Sequence, residues 1–371
     1  MLSLSPELLP EPKPPLAIFE RSREWASFRP TLNRVRAVLD ALDEPHRKYP
    51  HILVGGTNGK GTTATNLAFN LPGRVGLFQS PHLVDIRERI TIGGAWVSDT
   101  LWRRAEERVL EVVPDPELSY FEWLLVLAVE IFRMERVDWA VFEIGLGGRW
   151  DAANALDPCL SVITNVGLDH VAILGDTREA IASEKIEIAR PDRPLVLPES
   201  VYRLDGVAQR LDEIGCVPRV LTGVNGYLGY RRLVDVSLDC LSITKSSQEW
   251  MSLPGRREVL VLEDKVYLDG AHNVDGWSSV LNWMRELGVG KIPILCNLSL
   301  GKNPREFMDI FDAIADSYHL WPIGFEKELP SQNWPEHVSR VDVAGVRGLL
   351  RRPVLVTGSL YLVGAFKRLL M

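Results

Sequence analysis

The sequence predicts an α/β protein: a P-loop, doubly wound, mostly parallel sheet domain in residues 1–250, followed by a smaller Rossmann-like α/β domain in residues 251–371. The first observation is the length of 371 residues, which favours two domains. The second is that short apolar runs rich in β-branched residues alternate with segments of helical periodicity, as in parallel sheets covered on both faces. The third is a strand-like run that leads into a glycine-rich loop and then a helix, in residues 51–69.

The expected elements of the first domain start with a helix at residues 31–42. The strands are expected at residues 52–55, 74–78, 88–97 (a hairpin around two glycines), 138–144, 160–165, 194–197 and 217–221. The further helices are expected at residues 63–69, 101–113, 120–136, 177–190 and 202–214. Residues 226–243 alternate between apolar and polar side chains, which predicts strand without an intervening helix.

A polar, turn-rich segment at residues 245–255 is the expected linker to the second domain. Beyond it the strands are expected within residues 257–269 and at residues 292–297, 318–323 and 353–357. The helices are expected at residues 277–287, 304–315, 343–350 and 360–370. The alternation indicates a second α/β unit, and no internal repeat interrupts it.

Composition excludes several function classes. A net charge of −7 and a pI near 5.6 argue against a dedicated nucleic-acid binder. No segment is long and apolar enough to span a bilayer, and the proline-rich N-terminus does not have the pattern of a signal peptide. The widely spaced cysteines indicate reduced thiols in a cytoplasmic protein: Cys159, Cys216, Cys240 and Cys296.

The loop after the first strand has the layout that binds a polyphosphate. It reads GTNGKGT over residues 56–62, with small residues that let backbone N–H groups point inward, Lys60 to reach the outer phosphates, and a threonine hydroxyl for Mg²⁺. Gly61 separates the lysine from Thr62, so the spacing departs from the generic Walker pattern. The alternative is a glycine turn with a solvated lysine.

Three potential metal ligands are expected where strands end: Ser80, Glu143 and His170. Taken singly, a serine before proline is usually a turn former, a glutamate at a strand end is usually solvated, and a lone histidine is more often structural. A bound triphosphate needs more positive charge than one lysine supplies, which favours a metal ion beside it. Together, at the carboxyl edge of one sheet, the three side chains predict a metal site.

Other polar groups have candidate roles. Arg149 follows a glycine-rich turn and could pair with a carboxylate, and Lys185 in a predicted helix would by pattern alone be a surface ion-pair partner. In the second domain Asp269 could accept from ribose hydroxyls and His272 could contact phosphate or base. Asn273 could cap the following helix.

From about residue 29 to the C-terminus the sequence resembles the folylpolyglutamate synthase/dihydrofolate synthase family, which belongs to the Mur-ligase-like ATP-dependent amide ligases. The motif GTNGKG is shared with the cell-wall peptide ligases, whereas SPHL, GLDH followed by LGDT, and DGAHN in this order are specific to the folate branch. The motifs that carry the resemblance are GTNGKGT (56–62), SPHL (80–83), RERITIGG (87–94), YFEWL (120–124), FEIGLGGRWDAAN (142–154), SVITNVGLDH (161–170), LGDTREAIASEK (174–185), LPGRREVL (253–260), LDGAHN (268–273) and VLVTGSLYLVG (354–364).

The resemblance implies a reaction in which ATP phosphorylates a substrate carboxylate and the amino group of L-glutamate attacks the acyl phosphate. It implies ATP and Mg²⁺ as cofactors, dihydropteroate or a reduced folate and L-glutamate as small-molecule substrates, and a monomer that binds neither nucleic acid nor membrane. Residues 1–250 are then the ATP-binding domain of the Mur-ligase central type, and residues 251–371 the C-terminal glutamate-ligase domain.

The resemblance also implies roles for individual residues. Lys60, His170 and Lys185 match catalytic positions, and Lys185 matches a lysine that carries a carbamate in this family. The nucleotide contacts match Asn58, Gly59, Lys60, Gly61, Thr62, Arg256, Asp269 and His272. The metal ligands match Thr62, Ser80, Glu143 and His170, and the residues that line the pterin site match Phe121, Glu122, Trp150, Asp151 and Ala152.

Three departures from the family keep alternatives open. The family carries a helix with an ATP-contacting asparagine ahead of the PGR motif, which here is residues 254–256. Residues 226–253 do not show that helix. Trp150 is bulkier than the leucine common at its position, and residues 300–303 read LGKN where the family has aspartates around a lysine. The alternatives are a ligase for another carboxylate acceptor and a nucleotide-binding scaffold without turnover.

Overall fold

The computed structural model describes residues 30–114, 117–224, 226–245 and 249–371. They form two compact units, one that ends at Met251 and one that spans Ser252–Met371. The proline-rich N-terminal stretch that shows no signal-peptide pattern lies outside the described residues. Within the described ranges, no helix has the length and apolar character that crossing a membrane requires.

The first unit is organised around an eight-stranded sheet. Its strands are β1 (His51–Gly55), β2 (Val75–Phe78), β3 (Ile90–Ile92), β4 (Ala95–Trp96), β5 (Trp139–Glu143), β6 (Leu160–Ile163), β7 (Pro194–Pro198) and β8 (Val217–Leu221). The spatial order is β4-β3-β2-β5-β1-β6-β7-β8, and only the pairs β2–β3 and β3–β4 are antiparallel. The mostly parallel sheet predicted from the apolar runs is confirmed.

Helices cover both faces of this sheet. They are α1 (Asn33–Ala41), α2 (Lys60–Asn70), α3 (Asp99–Val112), α4 (Tyr120–Met134), α5 (Val171–Leu174), α6 (Arg178–Lys185), α7 (Glu199–Tyr202), α8 (Val207–Ile214) and α9 (Gly226–Cys240). Alternate residues of β1 point to different cores: Leu53 joins the core of α4, whereas Ile52 and Val54 join the core of α2 and α9. All three are fully buried, and each such side chain contributes roughly 1.5–3 kcal/mol.

The strand prediction for residues 226–243 is wrong, because these residues form helix α9. Val234, Val236 and Leu238 alternate with Asp235 and Ser237, which imitates the period of a strand. In the structure the buried residues lie on one face of a helix that packs against the apolar core shared with α2: Leu233, Val234, Ser237 and Leu238. The helix that the sequence interpretation found missing ahead of the PGR motif is therefore present. Asn225, which directly precedes it, lies outside the described residues.

The second unit contains a six-stranded sheet in the order β13-β12-β11-β14-β10-β9, with β9 antiparallel to β10 and the other pairs parallel. The strands are β9 (Glu258–Val261), β10 (Lys265–Asp269), β11 (Ile292–Cys296), β12 (Ala315–Leu320), β13 (Ser339–Arg340) and β14 (Val354–Thr357). The helices are α10 (Val274–Glu286), α11 (Pro304–Phe311), α12 (Val343–Leu349) and α13 (Leu360–Leu370). The smaller Rossmann-like unit is confirmed.

Candidate active site

Four adjacent parallel strands of the first unit bring the predicted site residues to one edge of the sheet. The order β2-β5-β1-β6 places Ser80, Glu143, the GTNGKGT loop and the segment that leads to His170 at successive carboxyl ends. The strand register brings these groups to the same level along the strand direction, since Phe78 pairs with Phe142 and Val54 with Glu143. This edge is where ligands bind in doubly wound sheets.

The phosphate loop, residues 56–60, has a shape that only glycine allows at two positions. Gly56 has φ +141° and Gly59 has φ +80°. A Cβ on Gly56 would lie 1.9 Å from Thr164 Oγ1, and a Cβ on Gly59 would lie 2.2 Å from the ring of Tyr230. The loop is therefore enclosed by neighbouring side chains and cannot accept an alanine at either position without a shift.

Residues that follow β6 hold the loop in this shape. The backbone N–H groups of Thr57 and Asn58 donate to Asn165 Oδ1 at 3.1 and 2.9 Å, and Thr164 Oγ1 donates to the carbonyl oxygen of Asn58 at 2.7 Å. Thr57 Oγ1 donates to the carbonyl oxygen of Gly167 at 3.2 Å. Because these partners follow another strand, the conformation of the phosphate loop depends on residues outside the loop. Sequence reasoning missed Asn165, although it lies inside the motif SVITNVGLDH.

Helix α2 starts at the end of the loop with Gly59 as its N-cap, a residue that has no side chain to bond the first N–H groups. The helix thus directs N–H groups and the positive end of its dipole at the loop. Lys60 Nζ donates to the carbonyl oxygen of Thr57 at 3.2 Å, so its ammonium lies over the loop. Thr62 is buried in the first turn of the helix. The combination is suited to a phosphate chain.

The structure brings Ser80 and Glu143 into contact. The N–H of Ser80 donates to Glu143 Oε2 at 3.0 Å, and the glutamate is buried. His170 is exposed, has φ +51°, and precedes the short helix α5. In the part of the chain that the structure describes, no cluster of three or more His, Cys, Asp and Glu side chains is placed to hold a metal ion. A metal site at this edge would therefore depend on hydroxyl oxygens as well.

Lys185 is buried at the end of α6, so its interpretation as a surface ion-pair partner is wrong. Its Nζ donates to the carbonyl oxygen of Gly56 at 2.9 Å, directly under the phosphate loop. Burial and the charge of Lys60 lower the pKa of Lys185 to about 7, and the carboxylates of Asp169 and Asp151 act in the opposite direction. A buried amine with this pKa is partly neutral near pH 7 and can act as a nucleophile.

Among the predicted acceptor-site residues, Asp151 organises its own loop. Its carboxylate accepts from the N–H groups of Gly145, Leu146 and Ala153 at 3.0, 2.9 and 3.0 Å. Burial raises the pKa of Asp151 to about 6, although the three N–H groups favour the ionised form. The side chain thus closes the loop of residues 145–151.

Glu122 is also engaged within the protein. It forms a capping box with Ser119 at the start of α4, and Arg34 Nη2 from α1 donates to its Oε1 at 2.8 Å. No local sequence pattern indicates this partnership, because Arg34 and Glu122 are far apart in the chain. The remaining predicted acceptor residues differ in exposure: Trp150 is 44% exposed, whereas Ala152 is buried.

Phe121 lies at the glycine-rich loop that follows β5. Its ring packs against Phe78, with the ring centroids 5.5 Å apart. A Cβ on Gly145 would lie 2.7 Å from the tip of this ring. The position therefore requires glycine for the close approach of the loop to Phe121.

In the second unit Asp269 ends β10 and is buried, and its carboxylate accepts from the N–H groups of Arg257 and Ala271 at 2.9 Å each. Burial raises the pKa of Asp269, and Arg256 opposes that effect. His272 Nδ1 lies 3.2 Å from the carbonyl oxygen of Gly270. Asn273 caps helix α10 by accepting from the N–H of Gly276, as predicted. The role of Arg256, Asp269 and His272 toward a nucleotide stays a prediction.

No protein-family model matches the chain. The dihydrofolate synthase/folylpolyglutamate synthase of Bacillus subtilis is 26% identical over 94% of this chain and 98% of its own length. The folylpolyglutamate synthase of Lacticaseibacillus casei is 27% identical, with 91% of this chain and 94% of that protein covered. The dihydrofolate synthase/folylpolyglutamate synthase of Haemophilus influenzae is 39% identical over 50% of this chain and 44% of that protein.

Solved structures give the same result. A bifunctional folylpolyglutamate synthase/dihydrofolate synthase from Yersinia pestis, complexed with AMPPNP and Mn ion, is similar with a TM-score of 0.83, 25% identity and coverage of 95% and 96%. E. coli FolC in complex with DHPP and ADP shares the fold, with a TM-score of 0.83, 23% identity and coverage of 94% and 95%. The resemblance to the folylpolyglutamate synthase/dihydrofolate synthase family, predicted from the motifs, is therefore confirmed over nearly the whole chain.

Proposed function

We propose that this chain adds L-glutamate to dihydropteroate, to reduced folates, or to both, with ATP as the phosphoryl donor. The observation that carries the proposal is the phosphate loop, which lies on the same sheet edge as the contact between Ser80 and Glu143. The groups that we propose to bind phosphate and metal are thus neighbours at this edge. The acceptor class comes from the names of the relatives and from E. coli FolC, which is complexed with DHPP and ADP.

The reaction has two steps. A carboxylate oxygen of the acceptor attacks the terminal phosphorus of ATP, the bond to the bridging oxygen of ADP breaks, and an acyl phosphate forms. The amino group of L-glutamate then attacks the acyl carbon and loses a proton, and phosphate leaves with the electrons of the broken C–O bond. Since the first step brings two anions together, the protein must mainly neutralise charge and align the reactants.

The residues of the phosphate loop suit this task. The N–H groups at the start of α2 and the ammonium of Lys60 would contact the phosphate oxygens, together with Asn58, Gly59 and Gly61. Because Asn165 and Thr164 already fix the loop, little reorganisation is needed when the nucleotide binds. Preorganised donors of this kind stabilise charge that develops in the transition state.

The donor set at the sheet edge fits Mg²⁺. The buried carboxylate of Glu143 and the hydroxyls of Thr62 and Ser80 are hard oxygen ligands, which this ion prefers. His170 would complete the set from the segment after β6. When bound, the ion offsets phosphate charge and orients the terminal phosphate.

Lys185 is proposed to act beside this site, in one of two forms. As an ammonium it adds positive charge under the phosphate loop. As a neutral amine, which its lowered pKa favours, it can react with CO₂ to give a carbamate and a proton, so that a cation becomes an anion. The structure contains the unmodified lysine, bonded to the carbonyl oxygen of Gly56.

The acceptor is proposed to bind near the loop of residues 145–151, between Phe121 and Trp150. The exposed indole of Trp150 offers a flat apolar surface of the kind on which a pterin ring can stack. Asp151 and Glu122 would act mainly by holding the loop and the start of α4 in place, because their carboxylates already accept backbone N–H groups.

Trp150 also favours the second candidate function, a ligase of the same mechanism that acts on another carboxylate. The third candidate, a nucleotide-binding scaffold without turnover, rested on the missing helix before the PGR motif, and α9 removes that reason.

A coupled assay of ADP release tests the proposal. We expect turnover with L-glutamate plus dihydropteroate or tetrahydrofolate, and none when either glutamate or the acceptor is left out. The Lys60→Ala variant serves as the control for contaminating ATPase. If neither acceptor supports turnover, the proposed function is rejected. If the chain binds ATP but shows no turnover with any carboxylate of a panel, the scaffold is supported.

We further propose a monomer that acts in the cytoplasm, consistent with four cysteines that remain free thiols. Sedimentation at the assay concentration tests the oligomeric state. A dimer there would contradict it.

A further inference from the structure

Asn66 connects the helix of the phosphate loop to the end of the first unit. Its Nδ2 donates to the carbonyl oxygen of Met251 at 3.0 Å, and its Oδ1 accepts from the N–H of Met251 at 2.8 Å. The same Nδ2 donates to the carbonyl oxygen of Thr62 at 2.9 Å. The side chain is fully buried. An amide is suited to this position, because it pairs with a backbone N–H and a backbone C=O at once.

The next turn of the same helix offers a comparison. Asn70 is also buried and donates from Nδ2 to the backbone carbonyl one turn earlier, that of Asn66, at 2.9 Å. Its Oδ1 has no hydrogen-bond partner among the described residues. A buried asparagine in this helix therefore does not by itself require a partner elsewhere. The pair of bonds to Met251 is what distinguishes Asn66.

Aromatic contacts link the same two places by a second route. The ring of Tyr230 lies against Gly59 at the start of α2. Tyr230 packs edge-on against Tyr227 with centroids 6.2 Å apart, and Tyr227 packs edge-on against Trp250 at 6.1 Å. Trp250 Nε1 donates to the hydroxyl of Tyr227 at 3.0 Å. Trp250 directly precedes Met251, so both routes end at the same point of the chain.

We propose that Asn66 is a positioning residue of the ligase, which anchors the backbone of Met251 to the phosphate helix. Met251 is the last residue of the first unit, and Arg256, a predicted nucleotide contact, follows shortly after it in sequence. The anchor fixes the point at which the chain leaves the first unit relative to the residues that bind the triphosphate. The inference rests on the proposed function, since it gives the anchor a part in turnover.

Kinetics of two matched variants test the anchor. Asn66→Leu removes all three side-chain bonds at similar volume, and Asn70→Leu is the control one turn away on the same helix. We expect kcat of Asn66→Leu to fall on the order of 10- to 100-fold, as misplacement of catalytic groups does, with little change in the ATP concentration at half-maximal rate. Asn70→Leu should retain the wild-type kcat. Equal kcat values for the two variants would overturn the proposal.

Hydrogen exchange on the wild-type chain gives a test that does not need the variant to fold. Addition of the non-hydrolysable analogue AMPPNP should slow exchange of the Met251 amide by about tenfold, because a filled phosphate loop holds α2 and its anchor more firmly. Bound AMPPNP with unchanged Met251 exchange would reject the anchor and leave the proposed function standing. Protection at Met251 in a chain without ligase activity would support the anchor and reject the proposed function.

Discussion

The phosphate loop and the loop of residues 145–151 follow neighbouring parallel strands, and both are rich in glycine, yet they are stabilised in different ways. Asn165 and Thr164, from the segment after β6, hold the phosphate loop. Asp151, from the second loop itself, closes that loop through three backbone N–H groups. In the first loop the N-terminus of α2 and Lys60 can therefore contact a ligand. In the second loop the buried carboxylate of Asp151 stabilises the loop itself.

This difference shows that a glycine-rich turn after a strand is not by itself a ligand site. What matters is how much of the hydrogen-bonding capacity of a side chain its own loop uses. The Asp151 carboxylate already accepts three N–H groups, whereas the Lys60 ammonium has three donors and gives one of them to the carbonyl oxygen of Thr57. We therefore expect Lys60 to contact the ligand and Asp151 to hold its own loop in shape, and variants at the two positions test both expectations.

The largest effect is expected for Lys60→Ala. It removes the one side-chain cation of the phosphate loop, so kcat/KM for ATP should fall by roughly 100- to 1000-fold, as it does when a preorganised charge-stabilising group is lost. The unfolding free energy should stay close to that of the wild-type chain, because Lys60 makes only one hydrogen bond to the loop. A wild-type rate would contradict the phosphate-binding role.

The strands that lead into the two loops should differ in how their stability depends on pH. Strand β1 begins with the buried, titratable His51, whereas β5 begins with Trp139, which does not titrate. Burial lowers the pKa of His51 to about 4. The folded state therefore keeps the imidazole neutral, and its contribution to stability is present above pH 6.5 and is lost as the pH falls toward 4. The loss should reach about 3 kcal/mol.

His51→Gln is the control for this titration, because it removes the ionisable ring. Denaturant unfolding between pH 7 and pH 4 should show a smaller loss of stability in the variant than in the wild-type chain. Parallel curves for the two proteins would show that His51 is not the titrating group.

A smaller effect is expected for Asp151→Asn. The amide retains one acceptor oxygen for the three N–H groups, so the unfolding free energy should fall by about 2 kcal/mol. Asp157→Asn, at a carboxylate that is 57% exposed, is the control and should be close to neutral. Unchanged stability together with a raised KM for the acceptor would instead assign Asp151 to the substrate, and the contrast between the loops would fail.

The smallest effect is expected for Asn165→Ala, which takes the shared acceptor away from the N–H groups of Thr57 and Asn58. The backbone carbonyl of Asn165 still accepts from Thr57, so the loop should loosen but persist. Isothermal titration with an ATP analogue should show a loss of about 1 kcal/mol in binding free energy, or roughly fivefold in Kd. An unchanged Kd would mean that the loop does not need this support.

Much of the fold was predictable, because the parallel strands are short apolar runs and the glycine positions mark the turns. The phosphate loop was visible in residues 51–69 for the same reason. Helix α9 was not, since its apolar residues fit both a period of two and a helical face, and packing on the sheet decided between them.

The position of the candidate site residues at one edge of the sheet was predictable, and the residues that support them were less so. The burial of Lys185, the pairing of Arg34 with Glu122 and the bond from Asn165 to the phosphate loop each depend on residues that are distant in sequence. Local patterns carry no information about such partners, because they arise only when the strands assemble.

Isotope transfer tests whether the phosphate loop activates a carboxylate through an acyl phosphate. The chain is supplied with ATP, L-glutamate and an acceptor whose carboxylate is labelled with oxygen-18, and the released phosphate is analysed by mass spectrometry. We expect one labelled oxygen in each phosphate, because the attacking carboxylate oxygen leaves with the phosphorus. Turnover that releases unlabelled phosphate would contradict this expectation.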